Sequence, residues 1–217
     1  ERLAWIGVNF DRLVREEGFP KAAQWALTNF CEHITARGMQ NIPGEGPLLV
    51  VSNHPGTYDS LVVASQLGRR DLCTITGDIP FLKNLPSAHE HFFFVTKDGL
   101  HERMLAARHA VHHLQNGGAL LLFGSGHIDP DPAVYPGAAA HIERWFASID
   151  VFLRHVPGVQ VLLDIVSGVI APKWAHHPLT WLRRGGVDRR RLANFGQVIS
   201  QLLFPGRTMF SPFVSFA

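Results

Sequence analysis

His54 and Asp59 flank a turn in the segment Asn53-His54-Pro55-Gly56-Thr57-Tyr58-Asp59. Pro55 and Gly56 make the chain change direction there, so the imidazole and the carboxylate can face each other. A carboxylate that accepts one ring N–H sets the histidine tautomer and leaves the other nitrogen free to take a proton from a hydroxyl. The chemistry on offer is general-base activation of an alcohol. The plainer alternative makes Asp59 a helix cap and His54 an ordinary turn residue.

The turn is fed by the continuous apolar run Leu48 to Val51, which reads as a strand buried on both faces, and it opens into the helical run Ser60 to Leu67. Comparable runs recur at Leu72 to Thr76, Phe92 to Thr96, Ala119 to Phe123 and Val159 to Val166, with helical stretches at 58–68, 98–116 and 137–148 between them. This alternation predicts an α/β fold with a mixed, largely parallel sheet flanked by helices. In such sheets ligands bind beyond the carboxyl ends of the strands, which is where the His54 turn falls. Residues 1–40 read as an N-terminal helical pair broken at Gly18-Phe19-Pro20, with the second helix running from Ala22 through Ile34 to Gly38. Residues 41–217 are the α/β domain, and Met209 to Phe216 reads as a final strand.

Twenty Lys and Arg against eighteen Asp and Glu leave a net charge of +2 over 217 residues, too little for a nucleic-acid groove across the whole molecule. The apolar fraction of 46% excludes disorder. No window approaches the roughly 18 uninterrupted apolar residues of a transmembrane helix. Cys31 and Cys73 are read as free thiols of a reducing compartment. The chain opens at Glu1, not at Met, as a processed or trimmed chain would.

With these residues in place, the sequence resembles the glycerolipid acyltransferases of the lysophosphatidic acid (PlsC-like) type, whose first motif is Asn-His-x4-Asp after a hydrophobic strand. Gly77-Asp78-Ile79-Pro80-Phe81-Leu82 is similar to the family's Ile-Pro-Phe segment. Phe92 to Lys97 is similar to its second motif, with Lys97 in the basic slot. Gly117 to Phe123 resembles the strand leading to the third motif, and Tyr135-Pro136-Gly137-Ala138 the glycine after it. The third-motif stretch itself reads Phe123-Gly124-Ser125-Gly126-His127-Ile128, with Ser125 and Ile128 where the family carries glutamate and arginine. The fourth-motif strand, Val159 to Leu163, lacks the family's proline and follows an apparent insertion around 148–157.

The resemblance implies a glycerol-3-phosphate acyltransferase-like fold and an O-acyltransferase that moves a fatty acyl group from a thioester to a hydroxyl of a lipid or glycerol-type acceptor. His54 is then the base and Asp59 its partner, with turn amides available to an oxyanion. Asn53, Gly56, Lys97, Ser125, Gly126 and His127 are the expected substrate-binding residues. No metal and no tightly bound cofactor are expected, and acyl-CoA or an acyl carrier protein is the co-substrate. A bacterial protein on the cytoplasmic side of the inner membrane, peripheral or cytoplasmic, is the implied setting. The alternatives are a lipid-binding relative without turnover, given the altered third motif, or a serine esterase using Ser125. Against the esterase, Phe123 and His127 stand where a nucleophile elbow needs glycines.

Two other patterns invite function. His109 and His113 have the i, i+4 spacing of a zinc pair, although no third ligand accompanies them, and a helix face is the favoured reading. Five arginines lie within residues 183–191, behind Trp174 and Trp181. They suit an anionic lipid surface, a phosphate-bearing cofactor such as coenzyme A, or a solvated loop. The N-terminal helices, with Trp5, Phe10 and Trp25, suit either packing on the domain or a membrane surface.

Overall fold

Leu48, Leu49, Val50 and Val51 are wholly buried because the strand they form runs through the middle of a seven-stranded sheet. The computed structural model describes residues 1–96, 99–145 and 147–217. It opens with α1 (Arg2–Glu17), α2 (Phe19–Leu27) and β1 (Thr35–Arg37), followed by β2 (Leu48–Ser52), α3 (Asp59–Leu67) and β3 (Leu72–Gly77). Two short helices, α4 (Pro80–Lys83) and α5 (Pro86–His89), lead to β4 (Phe92–Val95), α6 (Leu100–Gln115) and β5 (Ala119–Phe123). Then come α7 (Ala147–His155), β6 (Gln160–Ser167), α8 (Pro172–Ala175), α9 (Gly186–Leu203) and β7 (Phe213–Phe216). Short 3-10 turns at 39–41, 138–144 and 178–182 complete the path.

The strand order is β1-β7-β6-β2-β5-β3-β4. Pairing is parallel throughout except between β6 and β7, so the sheet is mixed and mostly parallel as the sequence alternation implied. On one face, Leu48, Val50, Leu121, Leu162 and Val214 pack against Phe10 of α1, Phe19 and Leu27 of α2, and Val62 and Val63 of α3. On the other, Leu49, Val51, Leu120 and Leu122 meet Ala110 and Leu114 of α6 and Phe152 and Val156 of α7. A strand clothed on both faces has no polar side to alternate with, which is why β2 reads as an unbroken apolar run.

One expectation is corrected, and two segments left open by the sequence take shape. The second helix stops at Leu27, and Thr35–Arg37 is a strand running parallel to β7, so the sheet draws its outermost strand from within the first forty residues. The apparent insertion around 148–157 is α7, which covers one face of the core. Of the arginine-rich stretch, Arg183 and Arg184 precede the 18-residue helix α9 while Arg189, Arg190 and Arg191 lie in its first turns, and Val198 and Leu202 of that helix pack on the same core as α1 and α2. Among the described residues no helix is long and apolar enough to cross a membrane.

Candidate active site

β2 ends at Ser52 and α3 begins at Asp59, so residues 53–58 form the connection at the carboxyl edge of the central strand. Asn53 continues the pairing of β2 with β6 through its side chain. Its amide donates to Val166 O at 2.8 Å, and its carbonyl accepts from Val166 N at 2.7 Å. This bidentate clamp holds the first residue of the turn as a ladder bond would.

His54 Nδ1 lies 2.7 Å from Asp59 Oδ2. The same carboxylate oxygen accepts the Gly56 N–H at 3.0 Å, and Asp59 Oδ1 accepts from Ser60 N at 2.7 Å. An ionised carboxylate only accepts, so the hydrogen of the imidazole sits on Nδ1 and the lone pair on Nε2. Nε2 has no partner among the described residues. Asp59 is 1% exposed while the His54 side chain is 28% exposed, which leaves the acid sealed and the imidazole reachable. The His54 ring stacks on Phe123 with centroids 4.4 Å apart. Burial pulls its pKa down, but the charge and hydrogen bond of Asp59 and the charge of Asp129 outweigh that, leaving it above the usual imidazole value.

Asp129 fixes the His54 backbone from the other side: its N–H donates to His54 O at 2.7 Å, and its carboxylate accepts the His54 N–H at 3.0 Å. Asp131, wholly buried, accepts N–H groups of Ala133, Gly168, Val169 and Ile170 and so ties this loop to the segment after β6. From α9, Asn194 Oδ1 accepts the Thr57 N–H at 3.1 Å. Gly56 has no room for a side chain, since a Cβ there would come within 2.6 Å of Asn194 Oδ1 and 3.0 Å of Val169 Cγ2.

Beneath the turn, Ser52 Oγ is 2.6 Å from Asp164 Oδ2 and 3.0 Å from Asn53 O. One hydroxyl hydrogen serves one acceptor, so a protonated Asp164 that donates to Ser52, which in turn donates to Asn53 O, satisfies both contacts. Burial, reinforced by the charge of Asp59 and opposed by the Ser52 hydrogen bond, pushes the Asp164 carboxyl up to about 7.

Of the expected substrate-binding residues, Asn53 and Gly56 are committed within the protein: the first clamps Val166, and the second is buried with its N–H on Asp59. The N–H groups of His54 and Thr57 are likewise occupied, so these turn amides are not free for an oxyanion. Ser125, Gly126 and His127 lie in the turn after β5. There Ser125 Oγ donates to His127 O at 2.9 Å and accepts from His127 N at 3.2 Å, with no imidazole on the hydroxyl to activate it as an esterase nucleophile. Lys97 falls outside the described residues. His113 turns Nε2 toward the carbonyls of Asp71 and Ala119, at 2.8 and 3.0 Å, in the manner of a helix residue tied to backbone. Both cysteines are free and buried. The sequence reading passed over Asp129, Asp131, Asp164 and Asn194. The first two sit in an Asp-Pro-Asp-Pro run that marks a turn but not its partners.

A cavity of about 140 Å³ opens beside Asn53 and Asp129, walled by Pro130, Ile142, Trp145 and Ile165. An apolar cavity of about 150 Å³ accepts a benzene molecule, so this one takes a few carbons and not a whole fatty chain.

A crystal structure of the 1-acyl-sn-glycerophosphate (LPA) acyltransferase PlsC from Thermotoga maritima has the same fold, at a TM-score of 0.52 and 16% identity, over 95% of this chain and 68% of that one. No curated protein matches in sequence. The family model described as Acyltransferase matches residues 33–148, which takes in the strand, the turn and the His54–Asp59 pair. The chain therefore belongs to the Acyltransferase family.

Proposed function

We propose that the protein transfers a fatty acyl group from an acyl thioester, carried on coenzyme A or an acyl carrier protein, to a hydroxyl of a glycerolipid or glycerol-type acceptor. The observation that carries this reading is the 2.7 Å contact of His54 Nδ1 with a buried Asp59, with Nε2 left open at the carboxyl edge of β2. Membership in the family and the fold shared with an enzyme that acts on 1-acyl-sn-glycerophosphate support the same chemistry.

Nε2 takes the hydroxyl proton of the acceptor as its oxygen attacks the thioester carbonyl carbon. The negative Asp59 steadies the imidazolium that forms, as the acid of a catalytic triad does. The tetrahedral intermediate collapses with loss of the C–S bond, and the departing thiolate recovers the proton from Nε2. No acyl-enzyme forms, because among the described residues Ser125 Oγ bonds only the His127 backbone and both thiols are buried. The apolar cavity next to Asn53 and Asp129 suits the carbons nearest the reacting carbonyl. Exposed Leu3, Trp5 and Val8 on α1, with Trp181 and Leu182 before α9, suit contact with a lipid surface.

The test is transfer of a radiolabelled acyl group from acyl-CoA, or from acyl carrier protein, to a panel of monoacyl and glycerol-type acceptors. Formation of a labelled ester supports the reading. Absence of transfer to every acceptor, with lipid still bound, turns the assignment to a binding protein.

A further inference from the structure

The edge of the catalytic turn is enclosed by a circuit of hydrogen bonds that passes through α9. Thr57 N–H meets Asn194 Oδ1 at 3.1 Å, and Asn194 Nδ2 donates to the carbonyl of Arg190, one helical turn earlier, at 3.0 Å. Arg190 Nε donates to Ile128 O at 2.8 Å, and Asp129, the next residue, grips both backbone groups of His54. Arg190 is therefore anchored at its carbonyl and at Nε, and its stem is half-buried.

That anchoring occupies one of the five N–H donors of the guanidinium. Among the described residues the two terminal nitrogens have no hydrogen bond and no carboxylate within ion-pair distance. Asp129 acts on Arg190 through its charge without forming an ion pair, and its carboxylate is engaged by the His54 N–H. Beside Arg190, Arg191 is exposed and bonded at 3.3 Å to Asp188. Its charge reaches His54 strongly enough to oppose protonation of the ring. A fixed, planar fork with free donors and a second cation next to it match the geometry and charge of a phosphate better than a single carboxylate.

We propose that Arg190, assisted by Arg191, forms a phosphate-binding subsite at the mouth of the His54 turn and thereby positions a substrate that carries a phosphate group. The identity of that substrate rests on the acyl-transfer reading, whereas the binding of phosphate does not. The phosphate belongs either to the acceptor headgroup or to the donor's coenzyme A.

Two measurements decide it. In the first, glycerol 3-phosphate and inorganic phosphate are titrated at low salt into the wild-type protein and the Arg190→Gln variant, with binding read by calorimetry and by thermal shift. Saturable binding that weakens about 10- to 100-fold in the variant is expected, from loss of charge-assisted hydrogen bonds. Equal binding by both proteins, or none by the wild type, overturns the subsite, and this holds whether or not acyl transfer is detected. Arg191→Gln serves as the second variant should Arg190→Gln fail to fold, with a smaller loss expected because Arg191 is already shared with Asp188.

In the second, kcat/KM is compared for lysophosphatidic acid against monoacylglycerol, and for acyl-CoA against acyl-pantetheine. Arg190→Gln is expected to lower one of these two preferences about 10- to 100-fold. A change in the first ratio assigns the phosphate to the acceptor, and a change in the second to the donor. Both ratios unchanged overturns the proposal.

Discussion

Two turns leave neighbouring parallel strands at the same level, since Ser52 of β2 pairs with Phe123 of β5, and both carry residues able to do chemistry. The turn after β2 is held from every side, by Val166 of β6, Asp129 after β5 and Asn194 of α9. In the turn after β5, the Ser125 hydroxyl and the His127 backbone bond each other, with Ser125 half-buried and His127 exposed. The first keeps one ring nitrogen open while the N–H groups of His54, Gly56 and Thr57 are spent on position; the second spends its hydroxyl on its own shape. A reactive side chain needs a support that does not consume the reactive atom, and only the β2 turn has one.

The sharpest way to break this contrast is to exchange which turn matters. His54→Ala is expected to lower kcat for acyl transfer by about 10³-fold, in the range of a general base, while Ser125→Ala costs under about 10-fold. The reverse order, read by steady-state rates on one acceptor, would transfer the chemistry to the β5 turn.

Asp59→Asn probes the support itself and is expected to lower kcat about 10²-fold. It also carries a pH signature. The His54 pKa lies above the free value of about 6.5, and only the neutral ring can accept a proton, so the acidic limb of the kcat/KM profile falls above that pH. Loss of the Asp59 charge moves that limb down. A limb that stays in place would deny the pair its electrostatic role.

Asn194→Ala removes the α9 contact with Thr57 and opens space over Gly56. A fall of about 10-fold in kcat/KM with an unaltered pH limb is expected, since misplacement by 1 Å costs up to about 10². A shifted limb would mean that α9 tunes the charge on the imidazole as well as its position.

The smallest effect lies beneath the turn. Asp164 ionises from about 4 in the unfolded chain but only near 7 when folded, so its burial withdraws stability as the pH climbs through that window. Asp164→Asn keeps a donor for Ser52 and is expected to raise Tm by about 2–4 °C at pH 8 and by less at pH 5. An equal shift at both pH values would show that the carboxyl is already ionised in the fold.

Much of this arrangement was legible before any coordinates. The strand-turn-helix around His54 announces itself through an apolar run, a Pro-Gly break and a resumed helical pattern, all local signals. The end of α2 is not legible in the sequence because Phe30 and Ile34 continue a helical spacing, whereas pairing of Thr35–Arg37 with β7 draws that segment into the sheet. The charged run at 183–191 leaves a lipid surface, a phosphate-bearing cofactor and a solvated loop equally open, and from Gly186 onward it is helical. It is a helix there because Val198 and Leu202, far down the chain, bury one face of it.

The sequence by itself determined the α/β alternation, the turn after β2 and the histidine–carboxylate pair across it, because each depends on residues within a few positions of one another. Only the packing of distant elements decides that the N–H groups of His54 and Thr57 are occupied, that Arg190 is tied to the loop beside His54, and that a buried Asp164 stands below the turn. Those partners come from β6, the loop after β5 and α9, up to 137 residues away from the turn. Contacts at that separation are set by how the elements pack, and a linear pattern carries no record of them.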